Sequence, residues 1–167
     1  MSEYEFNFPP TPKHREAIGK VVVEFAFLEA LLEMAIWQLL SLDPDRGQIM
    51  TTPMTFRGRM DTFFAITKNQ FTNQESAKAL SMLQEYMQEA SNQRGDIVHG
   101  NWGWGIQQDA PLWVRYRRKG GKIDRQLKIM KAETINQIAG NIAAVSDRLV
   151  EFLRFHKIHP PPVFPTP

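Results

Sequence analysis

The apolar pattern of this chain changes period at His99-Gly100, and that change limits its folds more than any other feature. Before it, apolar residues recur at helical spacing. After it, Trp102, Trp104 and Ile106 alternate with Asn101, Gly103 and Gly105, which is strand spacing. Leu112, Val114 and Tyr116 then alternate with Trp113, Arg115 and Arg117, with Asp109-Ala110-Pro111 as the intervening turn. Gly120-Gly121 is a hairpin signal, and Ile123, Leu127 and Ile129 follow on a returning strand. A small antiparallel meander is therefore expected over residues 101–130, set into a helical chain.

Four helices are predicted around it. Thr11-Pro12 starts the first, since Thr can cap and Pro needs no amide partner at N1. It runs to about Leu40 with a broad apolar surface that includes Val22, Phe25, Phe27, Leu28, Leu32 and Ile36. Such breadth suits a bundle centre or a dimer seam. Ser41-Leu42-Asp43-Pro44 stops it, and residues 45–54 read as a loop. The second helix begins near Thr55, with Phe56, Met60, Phe63 and Phe64 on its core face. Thr72-Asn73-Gln74-Glu75 reads as a capping box, with Thr72 the cap, opening a third helix that delivers Arg94. The fourth covers about Ala132 to His156.

At 167 residues this is the size of one domain, and the short connections predict an antiparallel four-helix bundle. The meander lies between helices three and four, making the fold class mainly α. Residues 1–10 form an arm carrying Tyr4, Phe6 and Phe8, and 157–167 a proline-rich tail. The absence of cysteine excludes disulfides and thiolate chemistry. The N-terminus lacks a basic start followed by an apolar run, and Glu24, Glu29 and Glu33 interrupt the most apolar stretch. No secretion signal or membrane span is expected, which suits the cytoplasm.

The charges are sorted along the chain although the net charge is only +2. Eight basic residues lie between Arg115 and Lys131, with Asp124 the one acid among them. Arg115, Arg117, Lys119, Arg125 and Lys128 are the candidates for phosphate contact, with a solubilising sheet face as the plain alternative. Trp102 and Trp104 are expected on one sheet face, as structure more than as base-stacking groups.

No metal or cofactor is expected, because His14, His99, His156 and His159 share no ligand spacing with other donors. Gly100, Gly103 and Gly105 lack the strand and helix that frame a phosphate loop. That leaves Arg94 with His99. Five residues apart on an ideal helix, they are separated by about 140° of rotation, so convergence calls for a tightened or ended helix around Gly95 to Val98, or for a two-fold axis. The guanidinium offers fixed donors to a phosphodiester, and the imidazole can move a proton near neutral pH. The plain alternative pairs Arg94 with Asp96 or a glutamate and lets His99 serve the helix end. A carboxylate in the apolar run, Glu29, needs a cation, for which Arg94, Arg57 and Arg59 are candidates, Arg94 the first of them.

Arg94-Gly95-Asp96-Ile97-Val98-His99, followed by Gly100-Asn101 at the end of a third long helix, resembles the Arg-x4-6-His motif of the HEPN superfamily. The likeness covers about residues 12–156. It implies a homodimeric four-helix bundle in which Arg94 holds a phosphate and His99 transfers a proton during metal-independent RNA cleavage. Asp96, Glu29 and Asn101 would support them. It also implies a toxin or defence setting with an antitoxin or other regulatory protein as partner. The residue after the arginine is polar in typical catalytic members and is Gly95 here. Non-catalytic members bind nucleic acid or a partner protein.

Overall fold

The computed structural model describes residues 11–105, 110–119 and 121–158. Five helices and one three-stranded sheet follow in the order α1 (Pro12–Leu39), α2 (Pro44–Thr51), α3 (Phe56–Gln70), α4 (Gln74–His99), β1 (Asn101–Gly105), β2 (Ala110–Lys119), β3 (Lys122–Ile129) and α5 (Ala132–Phe155). The chain is thus mainly helical, with its small antiparallel sheet between α4 and α5. No single described helix is long and apolar enough to cross a membrane. The aromatic arm, Ile106, Asp109, Gly120 and the tail from His159 lie outside the described residues.

Two compact units form. One joins Met1–Glu24 to Asn92–Asn141, and the other joins Phe25–Ser91 to Ile142–Pro167. The second unit is held by aromatic and aliphatic packing. Phe25 meets Phe56 at 4.7 Å between ring centres, Phe63 meets Phe64 at 5.2 Å, and Phe152 lies 6.3 Å from Phe63 and 6.0 Å from Phe71. Each such pair contributes about 0.5–1.5 kcal/mol beyond area burial. Leu28, Leu32, Ile36, Met60, Leu80, Met87 and Leu149 fill the remaining interior. On α1, however, Val22 and Phe27 are exposed, so the buried stripe is narrower than the apolar count suggests.

The expected loop at 45–54 is mostly the helix α2. Asp43 caps it, accepting from the Arg46 amide at 3.0 Å, and Pro44 occupies the first helical position. The Asp-Pro pair that stops α1 is equally a start signal, because Pro at N1 lacks only an amide that would have no partner there. Trp37 packs against α2 where Gly47 has no side chain, and a Cβ there would stand 2.4 Å from the indole. The cap of α4 also differs from expectation. Asn73, not Thr72, accepts from the Ser76 amide at 2.8 Å, which leaves Glu75 one position early for a capping box.

α1 and α5 end alike. The amide of Leu42 donates to Trp37 O at 2.9 Å and that of Ser41 to Gln38 O at 3.1 Å. Ile158 and Lys157 repeat the pattern with Leu153 and Arg154. Both ends therefore form the paired 6→1 and 5→2 bonds that favour glycine at the left-handed position. Here that position holds Ser41 (φ 53°) and Lys157 (φ 56°). Ser41→Gly should raise stability by about 1 kcal/mol, read as a shift in urea midpoint at constant m.

In the sheet β2 is central and antiparallel to both neighbours. Ala110 and Pro111 are not turn residues: they pair with Gly105 and Trp104, at an end of β2 that β3 does not reach. Proline is tolerated there because its missing amide costs no β3 bond. Gly121 takes φ 79° at the β2–β3 turn.

Candidate functional site

The last turn of α4 gathers the groups of interest within one unit. Helix ends leave their final carbonyls without intrahelical donors, and in α4 these belong to Asp96, Ile97, Val98 and His99. Two are met by indoles. Trp113 donates its ring N–H to Asp96 O at 2.7 Å, and Trp102 donates to Ile97 O at 3.3 Å. The tryptophans are register partners on adjacent strands, and both are buried. The first strand pair thereby stoppers the helix that leads into it.

Trp113 reaches the helix end because Gly100 is glycine. A Cβ at Gly100 would fall 1.8 Å from the Trp113 ring nitrogen, so any other residue would displace the indole. Gly95 is different: a Cβ there would meet nothing within 4 Å. The glycine following Arg94 is therefore not required by packing.

Arg94 and His99 come together. Arg94 Nη1 lies 3.4 Å from His99 Nε2. Arginine only donates, so this contact takes Nε2 as acceptor and leaves the proton of the neutral ring on Nδ1. Convergence does not need the helix to tighten, since α4 stays α-helical through His99. Five residues carry about 7.5 Å of rise, which the long arginine and the backward lean of helical side chains span. His99 is exposed and Arg94 half-buried.

The supporting residues divide. Asp96 serves through its main-chain carbonyl as the Trp113 acceptor. Asn101 is exposed at the first position of β1, opposite Val114. Glu29 meets Arg59, not the favoured Arg94: Arg59 Nη1 lies 3.3 Å from Glu29, and its Nη2 2.7 Å from Glu33 and 3.4 Å from Thr51 O. Arg59 thus joins two α1 carboxylates to the end of α2. Neither Glu33 as a second acceptor nor Trp113 as a cap was singled out from the sequence. The signal for Trp113 was its place among basic residues on a strand, where an apolar ring points to cover.

The five basic candidates do not share one strand alternation. Arg115, Arg117 and Lys119 follow Trp113 at every second position, and Lys128 pairs with Trp113 itself. Arg125 pairs with Tyr116, on the other alternation, while Asp124 pairs with Arg117. Lys128 is exposed, its Nζ 5.6 Å from the Trp113 ring centre.

His14 and His156 are structural in setting. His14 is buried between Thr11 Oγ1 at 2.6 Å and Met130 O at 3.2 Å. His156 stacks 3.9 Å from Phe71 and lies 3.3 Å from Ser76 Oγ, and burial holds its pKa below the ordinary histidine value. No group of three or more His, Cys, Asp or Glu among the described residues could hold a metal ion. Comparison with known protein families, curated proteins and solved structures gives no match.

The two glycines make opposite predictions. Gly95→Ala should be tolerated and raise stability by up to about 1 kcal/mol, the helix-interior cost of glycine. Gly100→Ala should lower it by about 1–3 kcal/mol through overpacking and quench or shift Trp113 fluorescence.

Proposed function

We propose that this chain is a HEPN-like, metal-independent endoribonuclease that works as a homodimer. The observation that carries the reading is the 3.4 Å approach of Arg94 Nη1 to His99 Nε2 at an exposed helix end. The finer architecture proposed is an antiparallel four-helix bundle of α1, α3, α4 and α5, with α2 as an added short helix. Each copy brings one Arg94–His99 pair to a shared cleft.

The chemistry follows from the two side chains. When RNA enters, Arg94 exchanges its contact with His99 for the non-bridging oxygens of a phosphodiester, where its donors offset gathering charge. This frees Nε2 to take the proton of the adjacent ribose 2′-hydroxyl. The 2′-oxygen attacks phosphorus, the P–O5′ bond breaks, and the 5′-oxygen takes up a proton as it leaves. The products are a 2′,3′-cyclic phosphate and a 5′-hydroxyl. DNA has no 2′-hydroxyl and is refused. The basic positions that share one strand alternation, Arg115, Arg117, Lys119 and Lys128, hold flanking phosphates without reading sequence, and Arg125, on the other alternation, is not part of that set. A regulatory protein partner, an antitoxin in a toxin–antitoxin pair, belongs to the same reading.

A second reading, a module that binds nucleic acid without cutting it, is favoured by the basic run from Arg115 to Lys131. One assay separates them. RNA incubated with the protein in chelator should yield cyclic-phosphate ends, and His99→Ala should slow this by about 100-fold or more while the fold melts unchanged. RNA binding without cleavage in the wild type would establish the second reading instead.

A further inference from the structure

β3 ends the sheet, and no described strand lies on its far side. Half of its amides and carbonyls therefore turn away from β2, where a further strand can take them. Edge strands are commonly guarded by proline, by a bulge or by brevity. β3 has eight residues, no proline, and an unbroken register with β2. Leu127, Lys128 and Ile129 are exposed in succession, so both faces of the strand are open there. The two apolar side chains among them are 39% and 46% exposed.

The remaining guard is charge, and the charges of β3 suit the same strand in a second copy. A two-fold axis between antiparallel strands stands perpendicular to the sheet and passes through a residue that faces its own copy. The choice of that residue fixes every other pairing. An axis at Arg125 sets Arg125 against itself and Lys122 against Lys128, and one at Asp124 sets two carboxylates together. Like charges directly opposite are destabilising. An axis at Leu127 puts Lys128 opposite Gln126 and Arg125 opposite Ile129, so no charge meets its opposite. An axis at Gln126 sets Asp124 opposite Lys128 and Ile123 opposite Ile129, each twice by symmetry, and the neutral amide faces itself.

We propose that β3 pairs antiparallel with β3 of a second copy about Gln126, joining two sheets into one of six strands. Because the axis is perpendicular to the sheet, the face that carries Trp102 and Trp113, and with it the end of α4, is the same face in both copies. The pairing gives the homodimer of the ribonuclease reading a surface and a register. It also stands without that reading, since it needs neither Arg94 nor His99 to cut RNA.

Sedimentation of the full chain tests the pairing at about 0.15 M salt, where charges more than about 8 Å apart are largely screened. A strand pair of this size belongs with small, weak interfaces, so the dimer should form as protein rises from about 1 µM to about 1 mM. Asp124→Lys and Lys128→Asp should each weaken it about tenfold. The double variant D124K/K128D should restore it, because the swapped charges again meet their opposites. Thermal melting of each variant separates a weakened interface from a weakened fold. The register is read independently by a single thiol, since the chain has no cysteine. Gln126→Cys should give a disulfide-linked dimer on mild oxidation, because residues directly opposite bring their Cβ atoms within about 4.5–5.5 Å. Lys122→Cys, about 27 Å from its copy, should not. RNA cleavage in chelator is scored separately, so loss of the dimer and loss of the chemistry remain distinguishable. A monomer throughout, a dimer indifferent to both single reversals, or thiol cross-linking that fails at position 126 overturns the inference.

Discussion

Two indole N–H groups on the final carbonyls of α4 hold the rest of the site in place. Each hydrogen bond contributes about 0.5–1.5 kcal/mol net, but leaving a buried carbonyl without a donor would cost about 1–3 kcal/mol. The arrangement is reciprocal. Trp113 and Trp102 cover the helix end only because β1 and β2 pair in the observed register. A one-residue slip of either strand would send that strand's ring to the other face. Helix end, Gly100 and strand register therefore specify one another, and Arg94 and His99 sit on the turn they fix.

This explains why the helix is uninterrupted through His99, where the sequence alone made convergence conditional on a tightened or ended turn or on a two-fold axis. A free helix end frays or tightens to find donors for its carbonyls. Here donors arrive from β1 and β2. Regular α geometry then persists, and the side chains themselves span the five-residue gap.

Helices, their order and the inserted meander were legible because hydrophobic period reports secondary structure directly. The pairing of Arg94 with His99 was legible as a possibility but not as a geometry, since it depends on side-chain reach. Three features were not legible. Asp43-Pro44 carries stop and start signals at once, and reading only the stop hid α2. The partner of Glu29 was a choice among three arginines, and only the fold decides for Arg59, which also reaches Glu33 and Thr51 O. The basic strand positions looked like one patch, but face membership on a sheet depends on cross-strand register, and register puts Arg125 opposite Tyr116. In the last two cases the missing information was a long-range contact.

The central claim is that the capped end of α4 presents His99 with Nε2 facing the Arg94 guanidinium. The most direct test is the long-range ¹H–¹⁵N spectrum of the His99 ring at about pH 8, where an ordinary imidazole is neutral. The account predicts the Nδ1–H form in the wild type, with Nε2 shifting when Arg94 is replaced by Gln. A ring protonated on Nε2, with no response to the Arg94 replacement, would contradict it.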